Sequence, residues 1–233
     1  MKKNDFIEME YTAKIKTTGE VFDLTSEAKA KELNIYNSAY SYHPIIIILG
    51  QGFVLKSLED KLLGIDEKDI GKKFTFAFKP EEAFGKRDPK LVRTFSSSFF
   101  KAKNITPVVG QSIKIEDRKG TDLTGKIMSV SAGRVKVDFN HILAGKEVEY
   151  EVILNKLFKT IEEKTDAVIQ MFAPLKADKI TKKIDKNILT VNLPKEMDNV
   201  VIKQLIAKYS TEFIEKIDEV KFVETFKNII VNK

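Results

Sequence analysis

The long strand-like alternation of this chain is cut at Pro80, and a run of comparable length returns at Glu147. Lys72 to Lys79 reads as a strand with Phe74, Phe76 and Phe78 on one face. Pro80, which has no N–H to give to a ladder, breaks it. Glu147 to Leu157 alternates again and needs a sheet to join, most simply the one begun before residue 80. Between them, Lys90 to Asp138 has a different texture. It holds short β-like runs at Leu91 to Phe95, Ser112 to Glu116, Leu123 to Val130 and Arg134 to Asp138. Ser96 to Lys101 suits one or two helical turns, and Arg118-Lys119-Gly120 and Ser131-Ala132-Gly133 are turn signals. A small β-rich unit set inside another domain accounts for both patterns.

The rest of the chain supplies the elements of an α+β fold. Phe6 to Lys16 alternates as a strand, Thr17-Thr18-Gly19 turns, and Glu20 to Leu24 is extended. Ser26 to Leu33 is a helix with Ser26 as N-cap, and Asn34 to His43 is irregular. Pro44 to Leu49 is a β-branched strand. Phe53 to Leu63 has helical spacing at Val54, Leu55, Leu58, Leu62 and Leu63. Gly64 is expected to end that helix in a left-handed conformation. The last segment reads as helix over Thr160 to Met171, with Glu162-Glu163 at its positive end. A hairpin follows, Lys176 to Ile184 and Ile188 to Leu193 around Asp185-Lys186-Asn187, with Pro194 as its stop. Asn199 to Ile217 is a long amphipathic helix and Val220 to Phe226 a strand. This α-β-β-α-β segment is long enough to fold alone, and an open sheet edge or helix face would favour self-association.

Composition narrows the function classes. Of 233 residues 42% are apolar, so a packed core forms and global disorder is excluded. The net charge of +6 comes from 40 basic and 34 acidic residues spread along the chain, without the dense stripe of a dedicated nucleic-acid binder. With no cysteine and only His43 and His141 as imidazoles, neither a disulfide framework nor a metal centre is expected, and no cofactor is implied. Met1 to Glu10 lacks the apolar core of a signal peptide, and Pro44 to Leu49 is far too short to span a bilayer. A cytoplasmic protein is expected, and the Lys/Glu/Ile-rich composition suits an archaeon or a thermophile.

Four motifs then occur in a fixed order: Val21-Phe22-Asp23; Leu49-Gly50-Gln51-Gly52 followed by Val54-Leu55; Ala83-Phe84-Gly85; and Asn140-His141-x-Leu143-Ala144-Gly145. In this order they resemble the FKBP-type peptidyl-prolyl cis-trans isomerases. The gap of about fifty residues before the fourth motif resembles the chaperone domain inserted in the flap of SlyD-type members. The resemblance implies an antiparallel sheet wrapped on a short helix from residues 1–89 and 139–158, an inserted chaperone domain at 90–138, and a C-terminal α/β domain at 159–233. It also assigns roles. Tyr11, Phe22 and Asp23 match the pocket Tyr and the Phe-Asp pair, and Ile45 falls where a pocket Phe is common. Val54 and Leu55 match a Val-Ile pair, with the Leu55 N–H set to bind a substrate carbonyl. Leu58 is the pocket floor, Tyr150 a pocket aromatic of the last strand, and Phe84 stands where a Tyr hydroxyl is usual. Taken singly, Phe22, Phe84 and Tyr150 fit a packed core as well as a pocket wall, and His141 stands open between a structural and a site role.

The chemistry suits such residues. Twisting an X-Pro amide crosses a barrier of about 18–20 kcal/mol with no bond broken, so no nucleophile or general base is needed. The twisted amide is less polar than the planar one, so a dry apolar pocket favours it. Phe95, Phe99, Phe100, Ile105, Val108 and Val109 crowd the insertion and are expected to hold clients, unfolded or nascent polypeptides containing proline. The segment after Thr160 has no SlyD counterpart. The layout is similar to long-type archaeal FKBPs, and Lys221 to Lys227 echoes their tail. Homodimerisation, extra client contact and a passive appendage are all open for it. Two rivals remain beside the folding enzyme with holding activity: a non-catalytic polypeptide-binding chaperone with a degenerate pocket, and a ribosome- or RNA-associated factor.

Overall fold

The structure is a computed structural model that describes residues 1–116, 120, 122–173, 180–193 and 199–224. The turn expected at Arg118-Lys119, the start of a strand at Lys176, its stop at Pro194 and the tail residues Thr225 to Lys227 lie outside the described residues. The chain divides into two compact units, one of residues 1–14, 19–76 and 149–233, the other of residues 15–18 and 77–148.

The elements begin with β1 (Phe6–Ile15), β2 (Val21–Leu24), α1 (Glu27–Glu32), β3 (Ile45–Ile48), α2 (Lys56–Leu62) and β4 (Lys73–Phe78). Then come β5 (Val92–Ser96), α3 (Ser97–Ala102), β6 (Ser112–Glu116), β7 (Asp122–Ser131) and β8 (Arg134–Asp138). The chain continues with β9 (Val148–Phe158), α4 (Ile161–Phe172), β10 (Thr181–Asp185), β11 (Ile188–Asn192), α5 (Val200–Phe213) and β12 (Glu219–Phe222). The fold is mixed α+β with short helices and largely antiparallel sheets.

In the first unit the strand order is β2-β1-β9-β4, so β9 does rejoin the sheet begun before Pro80. β3 also pairs with β1, from Phe6↔Ile48 to Met9↔Ile45. The period-two geometry of β1 sends Met9, Tyr11 and Ala13 to one face and Phe6, Glu8 and Lys14 to the other. Lysines pin the second face: Glu151 of β9 accepts from Lys14, Lys29 and Lys73 at 2.9, 3.2 and 2.6 Å. These cations, Lys73 and Lys14 foremost, outweigh partial burial and bring the Glu151 carboxyl down to about 2.

After β9, a second sheet of order β10-β11-β12 packs with α4 and α5. β11 and β12 run parallel, so α5 serves as their crossover. The core here joins Ala167, Val168 and Ile169 of α4, Leu189 and Val191 of β11 and Ile206 of α5 to Phe6 and Ile48 of the first sheet. Residues after Thr160 therefore share a core with the first sheet.

Three expectations about helix ends are corrected. α2 starts at Lys56 rather than Phe53, because the Glu59 carboxylate, only 3% exposed, takes the N–H groups of Gly52 and Phe53 at 3.1 and 3.0 Å. Those bonds hold the preceding residues as a loop, and Gly52 supplies its left-handed backbone at φ +78°. Gly64 does not adopt the left-handed conformation; the last turn tightens instead, with Gly64 N–H donating to the Lys61 carbonyl at 3.2 Å. α5 stops at Phe213, short of Ile217, because an extended Ile214 lets both Ile214 and Ile217 enter the core. The last strand likewise ends at Phe222 within the described residues.

The second unit is a sheet of order β5-β8-β7-β6 with α3 on one face. Phe100 is buried among Ile113, Ile115, Ile127, Val135 and Val137. Gly125 is required here, since a Cβ would stand 2.7 Å from both the Phe139 ring and Val137. Within this unit the outer ends of β5 and β8 are closed by hydrogen bonds into a neck. Phe139 N–H donates to the Leu91 carbonyl at 3.0 Å, and Asn140 exchanges bonds of 2.8 and 2.9 Å with the backbone of Asp88.

Two outcomes follow. Replacing Glu59 by Ala strands the Gly52 and Phe53 N–H groups and should lower stability in urea unfolding by about 2 kcal/mol, with Glu59→Gln losing less. Glu151 has a folded pKa below its unfolded one, so its contribution is present above the ordinary glutamate value of about 4.3 and is lost as pH falls toward about 2. Glu151→Gln should therefore flatten the acid limb of the stability profile measured across that window.

Candidate functional site

The site in the first unit grows from a bulge. β1 and β2 pair through Thr12↔Leu24 and Ala13↔Asp23, then shift to Lys14↔Val21, which leaves Phe22 as the extra residue. A bulge breaks the alternation, so the neighbours Phe22 and Asp23 need not face opposite sides. Thr25 locks the strand end, accepting from Tyr11 N–H at 2.9 Å through its hydroxyl oxygen while its own N–H donates to the Tyr11 carbonyl at 3.0 Å. Asp23 lies opposite Ala13, on the Tyr11 face, and the Tyr11 hydroxyl donates to its Oδ2 at 2.7 Å.

Aromatic rings complete this corner. Tyr150 lies 5.9 Å from Tyr11 and meets Phe22 edge to face at 6.1 Å. Such pairs favour tilted and edge-on geometry through their ring quadrupoles. Burial, and then the Asp23 carboxylate, push the Tyr11 phenol far above its ordinary value. Burial pushes Tyr150 up to about 12. Both hydroxyls therefore remain protonated through the physiological range.

Ile45 lies opposite Met9 on β3 and so shares the Tyr11 face of the sheet. Leu58 of α2 is wholly buried, while Val54 and Leu55 before the helix are half-buried. Leu55 is the α2 N-cap, with its carbonyl taken by Leu58 and Glu59 N–H groups. Its own N–H donates to no acceptor among the described residues, which leaves it available to a carbonyl from outside.

The second unit holds the other two motifs. The Phe84 ring stacks on His141 at 4.8 Å with an interplanar angle of 2°. His141 Nδ1 accepts from Leu143 N–H at 3.2 Å, and Gly145 N–H donates to the Gly85 carbonyl at 2.8 Å. Ala83-Phe84-Gly85 and Asn140 to Gly145 thus form one structure. Among the six apolar residues expected to meet clients, Val108 and Val109 are 58% and 61% exposed. Phe95, Phe99 and Ile105 pack at the margin of the core, and Phe100 is fully buried and holds the unit together. Among the described residues no group of three or more acidic or imidazole side chains could hold a metal ion, and no helix is long and apolar enough to cross a membrane.

Sequence reasoning missed three contributors. Glu59 follows the double-glycine loop at helical spacing from Leu55, which is a usable signal for a carboxylate that caps the loop. Thr25 and the bulge at Phe22 leave no sequence mark, because a bulge is a property of pairing between two strands.

Comparison with known proteins agrees with this geometry. The family described as FKBP26, IF domain, matches residues 98–143. A short-type peptidyl-prolyl cis-trans isomerase from Methanocaldococcus jannaschii is 30% identical over 152 residues, which are 65% of this chain and 90% of that protein. An FKBP-type 16 kDa peptidyl-prolyl cis-trans isomerase from Escherichia coli K12 is 30% identical over 119 residues, 51% of this chain and 77% of that protein. The FKBP-type peptidyl-prolyl cis-trans isomerase SlyD of the same organism is 28% identical over 120 residues, 52% of this chain and 59% of its own length. With the bulged Phe-Asp pair, the aromatic corner and these relatives in agreement, the chain belongs to the FKBP-type peptidyl-prolyl cis-trans isomerases.

Proposed function

We propose that this protein accelerates cis-trans isomerisation of X-Pro bonds in unfolded or partly folded polypeptides of the cytoplasm, and that it also holds such chains. The observation that carries the catalytic part is the Tyr11–Asp23 hydrogen bond of 2.7 Å in the corner where the Tyr11 ring meets Tyr150 and Tyr150 meets Phe22. It sets one carboxylate at the rim of an otherwise apolar corner. The planar amide is stabilised by resonance and by solvation of its dipole, and the twisted one has less of both. A wall of Tyr11, Phe22 and Tyr150, with Ile45 on the same face of the sheet, therefore favours the twisted state relative to water, while the wholly buried Leu58 supports the corner from within and offers no surface to a substrate. Asp23 is oriented before substrate arrives, and the Leu55 N–H, without an acceptor among the described residues, would hold a neighbouring carbonyl as the family resemblance implies. Phe84 and His141 belong to the other unit, and their part in the reaction rests on the family resemblance.

The domain division proposed is a prolyl isomerase domain at 1–89 and 139–158, an inserted chaperone domain at 90–138 and a C-terminal α/β domain at 159–233. Support for the second comes from the neck, where Val92 lies opposite Asp138 and Leu91 bonds Phe139. Exposed Val108 and Val109, together with half-buried Phe99 and Ile105 of the same unit, offer apolar surface to an extended chain. Holding a client there raises the local concentration of its prolyl bonds.

Asp23→Ala should lower kcat/KM for a short X-Pro peptide by about tenfold or more, the equivalent of roughly 1.4 kcal/mol of lost transition-state stabilisation. Unchanged turnover would remove Asp23 from the reaction. Because the neck ends are bonded neighbours, excising residues 90–138 and joining the ends by a short turn should leave short-peptide turnover intact and abolish suppression of aggregation. Parallel loss of both activities would overturn the division of labour.

A further inference from the structure

The first unit carries a second open feature, on the face of β1 opposite to Tyr11. Glu8 lies across from Ile46 in the β1–β3 ladder, on the side where α4 packs. Near the end of α4 a cavity of about 500 Å3 remains, lined among others by Glu8, Pro44, Ile46, Phe53, Gln170 and Met171.

Three properties define what fits it. The first is an unfilled sheet edge. Leu49 N–H donates to the Asp5 carbonyl at 3.0 Å, which sets the phase of the antiparallel ladder. Ile45 and Ile47 then turn their backbone groups toward β1, and Ile46 turns both its N–H and its carbonyl outward. No strand among the described residues pairs with β3 on that side. The Pro44 carbonyl is engaged by His43 Nδ1 at 2.9 Å and the Ile48 carbonyl by Gln51 N–H at 3.3 Å, so Ile46 is the residue of this edge that offers both of its backbone groups. The second property is the apolar wall of Phe53, Ile46 and Met171, all of them partly buried. The third is charge. Glu149 and Glu151, on the same sheet, are each paired with Lys14 at 2.8 and 2.9 Å, whereas half-buried Glu8 has no cation beside it among the described residues. A carboxylate withdrawn from water beside apolar walls gains when an opposite charge enters with the occupant.

We propose that the β3 edge and this cavity bind an extended polypeptide segment that adds to the sheet at Ile46, seats an apolar side chain against Phe53 and Met171, and places a lysine or arginine on Glu8. This rests on the reading that the protein handles unfolded polypeptides. It adds a client contact selected by charge and by a free N–H, not by proline. Proline is excluded from the position facing the Ile46 carbonyl, because it has no N–H to donate. The edge therefore holds chain that flanks a prolyl bond.

The test uses the full chain and a labelled, proline-free peptide of alternating valine and lysine, followed by fluorescence anisotropy. Glu8→Gln should weaken binding about fivefold and Glu8→Lys at least about tenfold, the usual range for truncating or reversing one partner of a half-buried charge pair. A peptide with glutamate in place of each lysine should bind at least about tenfold more weakly than the lysine peptide. Hydrogen exchange should show the Ile46 amide protected when the lysine peptide binds. Both variants should keep wild-type turnover of a short X-Pro peptide. Equal affinity of the three proteins, equal binding of the acidic peptide or no protection at Ile46 would overturn the proposal. So would a wild-type dimer in sedimentation equilibrium that Glu8→Lys dissociates, since the groove would then seat a second copy. Absent X-Pro turnover in the wild type, with peptide binding intact, would instead overturn the isomerase reading alone.

Discussion

The hydrogen-bonded closure between Leu91 and Phe139 is the constraint on which the chain's organisation depends. The chain leaves the first sheet after β4 and returns in β9, with a separately cored unit in the interval. A flexible detour of that length would carry a closure entropy of its own. Here the separately cored sheet begins and ends at the paired strands β5 and β8, so its two ends are bonded neighbours. Asp138 reinforces the neck. Burial opposes its ionisation, but the backbone and side-chain N–H groups of Asn140 and the charge of Arg87 outweigh that, and its carboxyl is held below the ordinary carboxylate range. Asn140 thus ties β8 to Asp88 from both sides, which gives the fourth motif a structural reason to begin with an amide able to donate and accept at once.

A site of this kind needs little chemistry and much positioning. The single carboxylate of the aromatic corner is aimed by a phenol that burial keeps protonated, and that phenol is placed by the register of β1. A slip of one residue in that register would send Tyr11 to the opposite face. The register is fixed at one end by the β3 ladder, at the other by the bulge at Phe22, and across the sheet by the lysines converging on Glu151. Three separate pairings would have to fail before Tyr11 could turn away from that face.

How much of this was legible in the sequence depended on the range of the interaction. Strands announced by alternation, such as Phe6 to Lys16 and Ser112 to Glu116, appear where the period-two pattern puts them. The N-cap Ser26 was equally readable, because a cap is local, whereas Thr160, read as the first helical residue, turns out to be the cap of α4. The motifs named the Tyr11, Asp23 and Tyr150 cluster through a resemblance, and not through any feature of residues so far apart in sequence. What could not be read were events decided by tertiary contact. Gly64 has the composition of a left-handed cap, but a tightened last turn satisfies the carbonyls first. Ile214 leaves α5 because the core gains two isoleucines when it does. Phe100 and Val108 look alike as apolar residues of a small unit, and only the packing sends one inside and leaves the other in water.

The C-terminal segment left a trace that alternation alone undervalued. A sheet with one face on a core and one in water should be polar throughout its outer face. On β1 that face reads Phe6, Glu8, Glu10, Thr12, Lys14, apolar at one end only. The partners of that end on β3 are Ile48 and Ile46, again apolar. An outer face that changes from apolar to charged along its length implies a third layer covering only its first part. α4 is that layer, packing on Phe6 and Ile48 while the lysine–glutamate lattice around Glu151 occupies the far end of the sheet. Glu8 sits at the change from one regime to the other, opposite apolar Ile46 and, among the described residues, paired with none of the lysines that satisfy Glu149 and Glu151, and it is there that the cavity near the end of α4 opens.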